Sequence, residues 1–191
     1  MHAFDISNFT GVITDDQAKI LRDEARKVVV NVHDPDLAIW QINVLRQQCM
    51  EIELYVQTYF SVPLSRELDK ATDIARQFAN GHESYLPLWL SFEDAVPTGL
   101  DPDVVIGWIQ RALFLADYAG FHAGIYTREN WWREATGDTS SFSTVRLWVA
   151  QPDGVADLLV YNGFGGWFAP TMKQYAMDVT VAGLNVDRDV Y

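Results

Sequence analysis

The sequence predicts an α/β fold, a single TIM-like barrel of five βα units followed by three strands with little helical cover, over residues 1–191. Three observations predict it. Short β-rich runs alternate with longer segments of helical period, and strict alternation implies a parallel sheet. The count reaches eight strands, enough to close a barrel. Beyond residue 126 the strands crowd together and leave little room for helices. Periodicity alone leaves an open doubly wound sheet as the rival.

Phe4-Asp5-Ile6-Ser7 is the expected first strand. Thr14 to Gln17 has capping-box spacing, and Ala18, Leu21 and Ala25 share a face of the helix that follows. Lys27 to His33 is an apolar run suited to a strand buried on both faces. Asp34-Pro35 offers an N-cap and an N1 proline, opening a helix to about Met50. Glu53 to Phe60 reads as strand three, and Pro63 opens a helix with Leu64, Leu68, Ala71, Ala75 and Phe78 on one face. Strand four is expected over Tyr85 to Glu93. Asp101-Pro102 repeats the cap-plus-proline signature ahead of Val105, Ile109, Ala112, Leu113 and Ala116. His122 to Tyr126 is strand five. Val145 to Ala150, a segment near Asp157 to Tyr161, and Met172 to Ala176 are the remaining strands, with Gly163 to Gly166 as the loop between the last two.

Apolar residues make up 49% of the chain and charged residues 21%, the mix of a folded globular protein. A net charge of −12, with 14 scattered Lys and Arg, excludes nucleic acid and anionic membrane as main partners. No apolar stretch is long enough to span a bilayer. Cys49 is the only cysteine, so no internal disulfide can form, and a buried structural thiol on a helix is expected. Met1-His2-Ala3-Phe4-Asp5 lacks a basic segment followed by an apolar run, so synthesis in the cytoplasm without a signal peptide is expected, with release or virion association as later fates. Seven Trp, eight Tyr and ten Phe serve either a generous core or a cleft paved for sugars, whose C–H faces stack on aromatic rings.

In a β/α barrel the catalytic groups sit at the C-terminal ends of strands. Three acids meet that condition: Asp5 on strand one, Glu93 ending strand four, and Asp187 where the chain returns beside strand one. Glu93 has the best individual case, because Trp89 and Phe92 nearby would desolvate a carboxyl and favour its protonated form, as a glycosidic general acid requires. Strand alternation puts Ser91 and Glu93 on one face, and Phe92 and Asp94 on the other. Tyr59, Tyr126, Trp148 and Tyr175 fall at or near strand ends and are the candidate cleft aromatics, with core packing the equal alternative for Trp148. The four histidines lack metal-ligand spacing, and neither a GxSxG elbow nor a phosphate loop is present, so no metal or cofactor is expected.

These residues resemble a known family. Asp5-Ile6-Ser7-Asn8-Phe9-Thr10-Gly11 is similar to the opening D-[VI]-S-x-[YFW]-Q-G of glycoside hydrolase family 25, the lysozyme-like muramidases. Leu88 to Glu93 resembles its fourth strand, which ends in D-x-E, and Gly124-Ile125-Tyr126-Thr127 with Trp131 its fifth strand and loop. Leu147-Trp148-Val149-Ala150 resembles strand six, and Gln174-Tyr175 with Asn185-Val186-Asp187 the closing W-Q-Y…[GN]-x-V-D. The matches run in family order along the whole chain. The resemblance implies a β/α barrel that cleaves the β-1,4 bond between N-acetylmuramic acid and N-acetylglucosamine in peptidoglycan. It implies Glu93 as general acid, with Asp5 and Asp187 as cleft acids that orient or stabilise.

The sequence departs from that pattern at one chemical position. Ser91 stands where D-x-E has its aspartate, the residue that supports the substrate's own acetamido group as it closes on the anomeric carbon. A hydroxyl donates one hydrogen bond but supplies no negative charge. Thr10 also replaces the usual Gln, and Gln57-Thr58-Tyr59 departs from Y-H-[FY]. Three functions therefore stand at this point. The first is a peptidoglycan hydrolase, with a phage-type enzyme as one form of it; the second is a weak or inactive barrel that binds glycan or serves as a structural or virion module; the third is a barrel hydrolase acting on another polysaccharide.

Overall fold

The computed structural model describes residues 1–78 and 87–191. Eight strands close into a barrel in sequence order: β1 (His2–Ile6), β2 (Lys27–Asn31), β3 (Glu51–Gln57), β4 (Leu88–Ser91), β5 (Ala123–Thr127), β6 (Leu147–Ala150), β7 (Met172–Val181) and β8 (Leu184–Val190). Helices α1 (Asp15–Glu24), α2 (Pro35–Gln47), α3 (Leu64–Phe78), α4 (Pro102–Tyr118) and α5 (Glu129–Thr136) follow the first five strands. This is the (β/α)5β3 plan. The expected start of strand four at Tyr85 and Leu86 lies outside the described residues.

Local chemistry starts the helices where the sequence placed them. Thr14 accepts from the Gln17 amide while Gln17 returns a bond to the Thr14 backbone, a complete capping box. Asp34 and Asp101 cap α2 and α4, each followed by a proline whose missing N–H costs nothing at N1. The buried faces then pack on the sheet: Ala18 and Leu21, Leu64, Leu68 and Ala71, and Val105, Ile109, Ala112 and Ala116.

Four expectations are corrected. First, the sheet is not wholly parallel: β8 runs antiparallel to both β7 and β1, with Asp5 paired to Asp187 and Ala3 to Asp189. A two-residue turn, Ala182-Gly183, joins β7 to β8, and both residues have positive φ, the geometry that matches the twist of a tight hairpin. Second, the segment near Asp157 to Tyr161 is a loop. Its apolar residues suggested a strand, but Leu159 is 89% exposed, and the Asp153 and Asp157 carboxylates accept from the amides two residues on, folding the backbone into turns. Strand seven is therefore Met172–Val181, and strand eight is Leu184–Val190. Third, Gly163 to Gly166 belongs to the β6–β7 connection. Gly165 has φ of 57°, and a Cβ there would lie 2.4 Å from the Trp167 ring. Fourth, Cys49 is exposed in the turn after α2, with φ of 58°, and is not a buried thiol.

Two cores result. The larger lies between barrel and helices. Where helices are missing, beside β6, an aromatic cluster takes over the cover: Trp132 meets Trp167 at 4.8 Å, Phe142 at 5.7 Å and Phe164 at 6.5 Å. The smaller core fills the barrel itself with Ala3, Val29, Trp89, Tyr126, Trp148 and Met172. At the N-terminal end it is stoppered by charge. Glu53 accepts from Lys27 at 2.6 Å and from Trp89 Nε1 at 2.5 Å, while the Arg146 guanidinium lies over the Trp89 ring. A barrel plugged in this way is open to a ligand only at its other mouth.

Candidate active site

The open mouth is a cavity of about 270 Å³ lined by Asp5, Ser7, Phe9, Thr10, Tyr55, Asp178, Asn185, Val186 and Asp187. Gln174 holds its floor. The Gln174 amide nitrogen donates to Asp5 Oδ2 at 2.9 Å and to Asp187 Oδ2 at 3.0 Å, and its oxygen accepts from the Tyr126 hydroxyl at 3.0 Å. Both acids thus hang on a single side chain from β7. The Asp178 amide donates to the other Asp187 oxygen at 2.7 Å.

Glu93 enters from the opposite wall, two residues beyond the end of β4, and is half-buried. The Ser91 hydroxyl, fully buried, donates to Glu93 Oε1 at 3.3 Å. The backbone around Glu93 is fastened on both sides. The Thr58 hydroxyl donates to the Ser91 carbonyl, the Thr127 hydroxyl to Phe92 O at 2.7 Å, and the Trp131 indole to Asp94 O at 2.8 Å. Phe92 turns outward against Trp108 and Trp131. Ser91 and Glu93 do share a face, as the two-residue period requires.

The electrostatics differ from expectation. Trp89 lies at the far end of the barrel on Glu53, and Phe92 faces the helices, so neither ring desolvates Glu93. The strongly desolvated carboxyl is Asp5: burial first, then the neighbouring Asp187, pushes its pKa up to about 8, against the hydrogen bond from Gln174. Asp187 is raised by burial, with Asp178 and Glu93 adding to it. Asp189, one layer below, is held well above the usual carboxylate range by burial and by Asp5. Burial and Asp5 also raise the Tyr55 phenol.

Asp5, Asp187, Ser91 and Glu93 therefore come together at one mouth. The four aromatics separate. Tyr59 stands half-buried after β3, with Asp94 and Glu67 the nearest acids. Tyr126 lies beneath the mouth on Gln174. Trp148 is 1% exposed inside the barrel and donates to Asp189 at 2.8 Å, so it packs and does not wall a cleft. Tyr175 faces outward, edge-on to His2 at 6.2 Å. Residues not named as site residues from the sequence fill their places: Tyr55, Gln174, Asp189 and Phe9, whose ring is 85% exposed at the rim. Gln174 and Asp189 were one and two residues from positions already named. Among the described residues no group of three or more His, Cys, Asp or Glu is arranged to hold a metal ion, and no helix is long and apolar enough to cross a membrane.

Comparison with known proteins follows the same lines. A family profile described as Lys-1, lysozyme-like protein 1, matches residues 11–175. The probable GH family 25 lysozyme 5 of Dictyostelium discoideum is 36% identical over 85 residues, 44% of this chain and 39% of that protein. The chain thus matches about two fifths of that relative's length. In fold, the muramidase of Trichobolus zukalii superposes with a TM-score of 0.74 at 23% identity, covering 100% of this chain and 93% of that one. The family GH25 lysozyme of Aspergillus fumigatus gives 0.74 at 19% identity, covering 98% and 91%.

Proposed function

Since the chain belongs to glycoside hydrolase family 25, the lysozyme-like family, we propose that it hydrolyses the β-1,4 bond after N-acetylmuramic acid in peptidoglycan, or the like bond of a related polysaccharide, with Glu93 as general acid. One observation carries this reading: Glu93 stands on a fastened backbone across a shared mouth from Asp5 and Asp187. A proton donor must be held within reach of the leaving oxygen, and its three braced carbonyl neighbours restrict where its carboxyl can go.

In the proposed sequence Glu93 gives its proton to the glycosidic oxygen as that bond breaks. The substrate's acetamido oxygen closes on the anomeric carbon, and positive charge develops on the ring. Asp187 and Asp5 face that charge. Water then attacks the anomeric carbon, displaces the acetamido oxygen so that the acetamide re-forms, and yields its proton to the Glu93 carboxylate, which restores the acid.

Ser91 favours a second reading, a barrel that retains glycan binding with little turnover, because its hydroxyl brings no charge to the acetamido group. Release of label from peptidoglycan by the purified protein, beside Glu93→Gln, separates the two. The hydrolase reading expects release that falls by at least about 100-fold in Glu93→Gln, the loss typical of removing a positioned acid. Equal release by both proteins would remove Glu93 from the role, and none by either would favour binding.

A further inference from the structure

Asp189 sits in the barrel beneath the mouth, between the acids above it and the Trp148 ring below. It is fully buried, and its Oδ1 accepts from Trp148 Nε1 at 2.8 Å. Its Oδ2 is also buried, yet meets no donor from any described residue. Around Asp189 stand Asp5, Tyr126, Trp148 and Asp187, with Gln174, Tyr55 and Glu93 next to Asp5. None is a cation. Lys27 and Arg146 lie at the stoppered end, on Glu53 and Trp89.

An ionised carboxylate oxygen left without a donor in such a place is strongly unfavourable. Gln174 cannot relieve it, because its amide nitrogen serves Asp5 and Asp187. One neighbour remains: with Asp5 paired to Asp187 and Ala3 to Asp189, the Asp5 carboxyl is the diagonal neighbour of Asp189 on the inner face of the barrel. Two carboxyl groups in contact require a proton between them.

We propose that Asp189 is a positioning residue that carries this proton and donates it from Oδ2 to Asp5. The donation satisfies the orphaned oxygen, fixes the Asp5 carboxyl between Asp189 and Gln174, and keeps a proton on the pair at neutral pH. Asp189 touches no substrate and acts through Asp5 alone. The catalytic consequence rests on the hydrolase reading: Asp5 is held in one orientation toward the developing cation, and the site loosens when the pair loses its last proton. The proton sharing itself does not depend on that reading. Burial and the Asp187 charge, which raise both carboxyls, agree with a proton retained on the pair.

The test is a pH titration of the aspartate side-chain carbons by NMR, on 13C-labelled protein with no substrate present, so an inactive enzyme does not blunt it. Asp189→Asn keeps shape and the acceptor for Trp148, and it replaces the shared proton with a permanent amide donor. The upper titration step of Asp5 should vanish, leaving one step at least one pH unit lower. A role in packing alone would leave the Asp5 titration where it was, and that result overturns the proposal. Should Asp189→Asn fail to fold, the wild-type spectrum decides. Asp189 still protonated at about pH 6 supports the pair, whereas ionisation near the ordinary aspartate value of about 3.9 refutes it.

Discussion

Ser91 is fully buried and gives its hydroxyl to Glu93, so an aspartate at this position would place a carboxylate on the same wall. In Ser91→Asp the developing oxazolinium-like charge gains an anion that the wild-type wall lacks. Peptidoglycan cleavage should rise by a factor on the order of 10 to 1000, or roughly 1.4 to 4 kcal/mol of transition-state stabilisation. Labelled-peptidoglycan kinetics measure it, and a folded variant with no gain would leave the binding reading ahead. At this scale the acids at strand ends were legible, because a barrel sends such residues to its mouth. Gln174 and Asp189 were not. Each faces the barrel in its own strand, and choosing Tyr175 over Gln174 is a slip of one residue, which in a strand exchanges inside for outside. Thr10 shows a departure absorbed locally: its hydroxyl ties the β1 loop to Asn185 O at 2.7 Å.

The β6–β7 connection is the element the sequence disguised. The strand-like apolar residues of its first half stay in solvent, and the hold of that half on the barrel is polar. Lys173, fully buried, donates to Asp153 at 2.9 Å and to Val160 O at 2.8 Å. Removing the anion strands a cation in the core. Asp153→Ala should cost about 2–3 kcal/mol, below the figure for a fully buried pair because the Asp153 side chain is 29% exposed. Lys173→Met removes the charge with the donor and should cost less than Asp153→Ala. Urea titrations of both variants check the order, and the reverse order would show that the lysine stem matters more than its pairing. The capped helices α1, α2 and α4 were legible from residues in the same turn. This connection was not, since its partners lie 13 and 20 residues away.

For the molecule as a whole, the acidic mouth ties stability to pH. Asp5, Asp187 and Asp189 all bind protons more tightly folded than unfolded. Their contribution is full below about pH 4, the unfolded carboxylate value, and is lost as pH rises, for Asp5 up to about 8. Each retained proton contributes a slope of at most about 1.4 kcal/mol per pH unit. Asp5→Asn should therefore gain on the wild type between about pH 5 and pH 8, read as a difference in Tm that grows with pH. A constant difference would mean that Asp5 does not titrate in that window. The closed barrel was legible from eight strands in alternation, whereas the reversal of β8 was not, because a strand's direction is set by its partners.

That reversal also orders the folding of the chain. The β7–β8 hairpin closes over a two-residue turn and is cheap in loop entropy, while the seam between β1 and β8 joins residues near opposite ends of the sequence. Asp187 and Asp189 travel on the hairpin, and Asp5 waits on β1. Their repulsion is absent until the seam zips, so it burdens only the last step of assembly and leaves the earlier ones free. The acidic mouth is then complete only once that seam has closed.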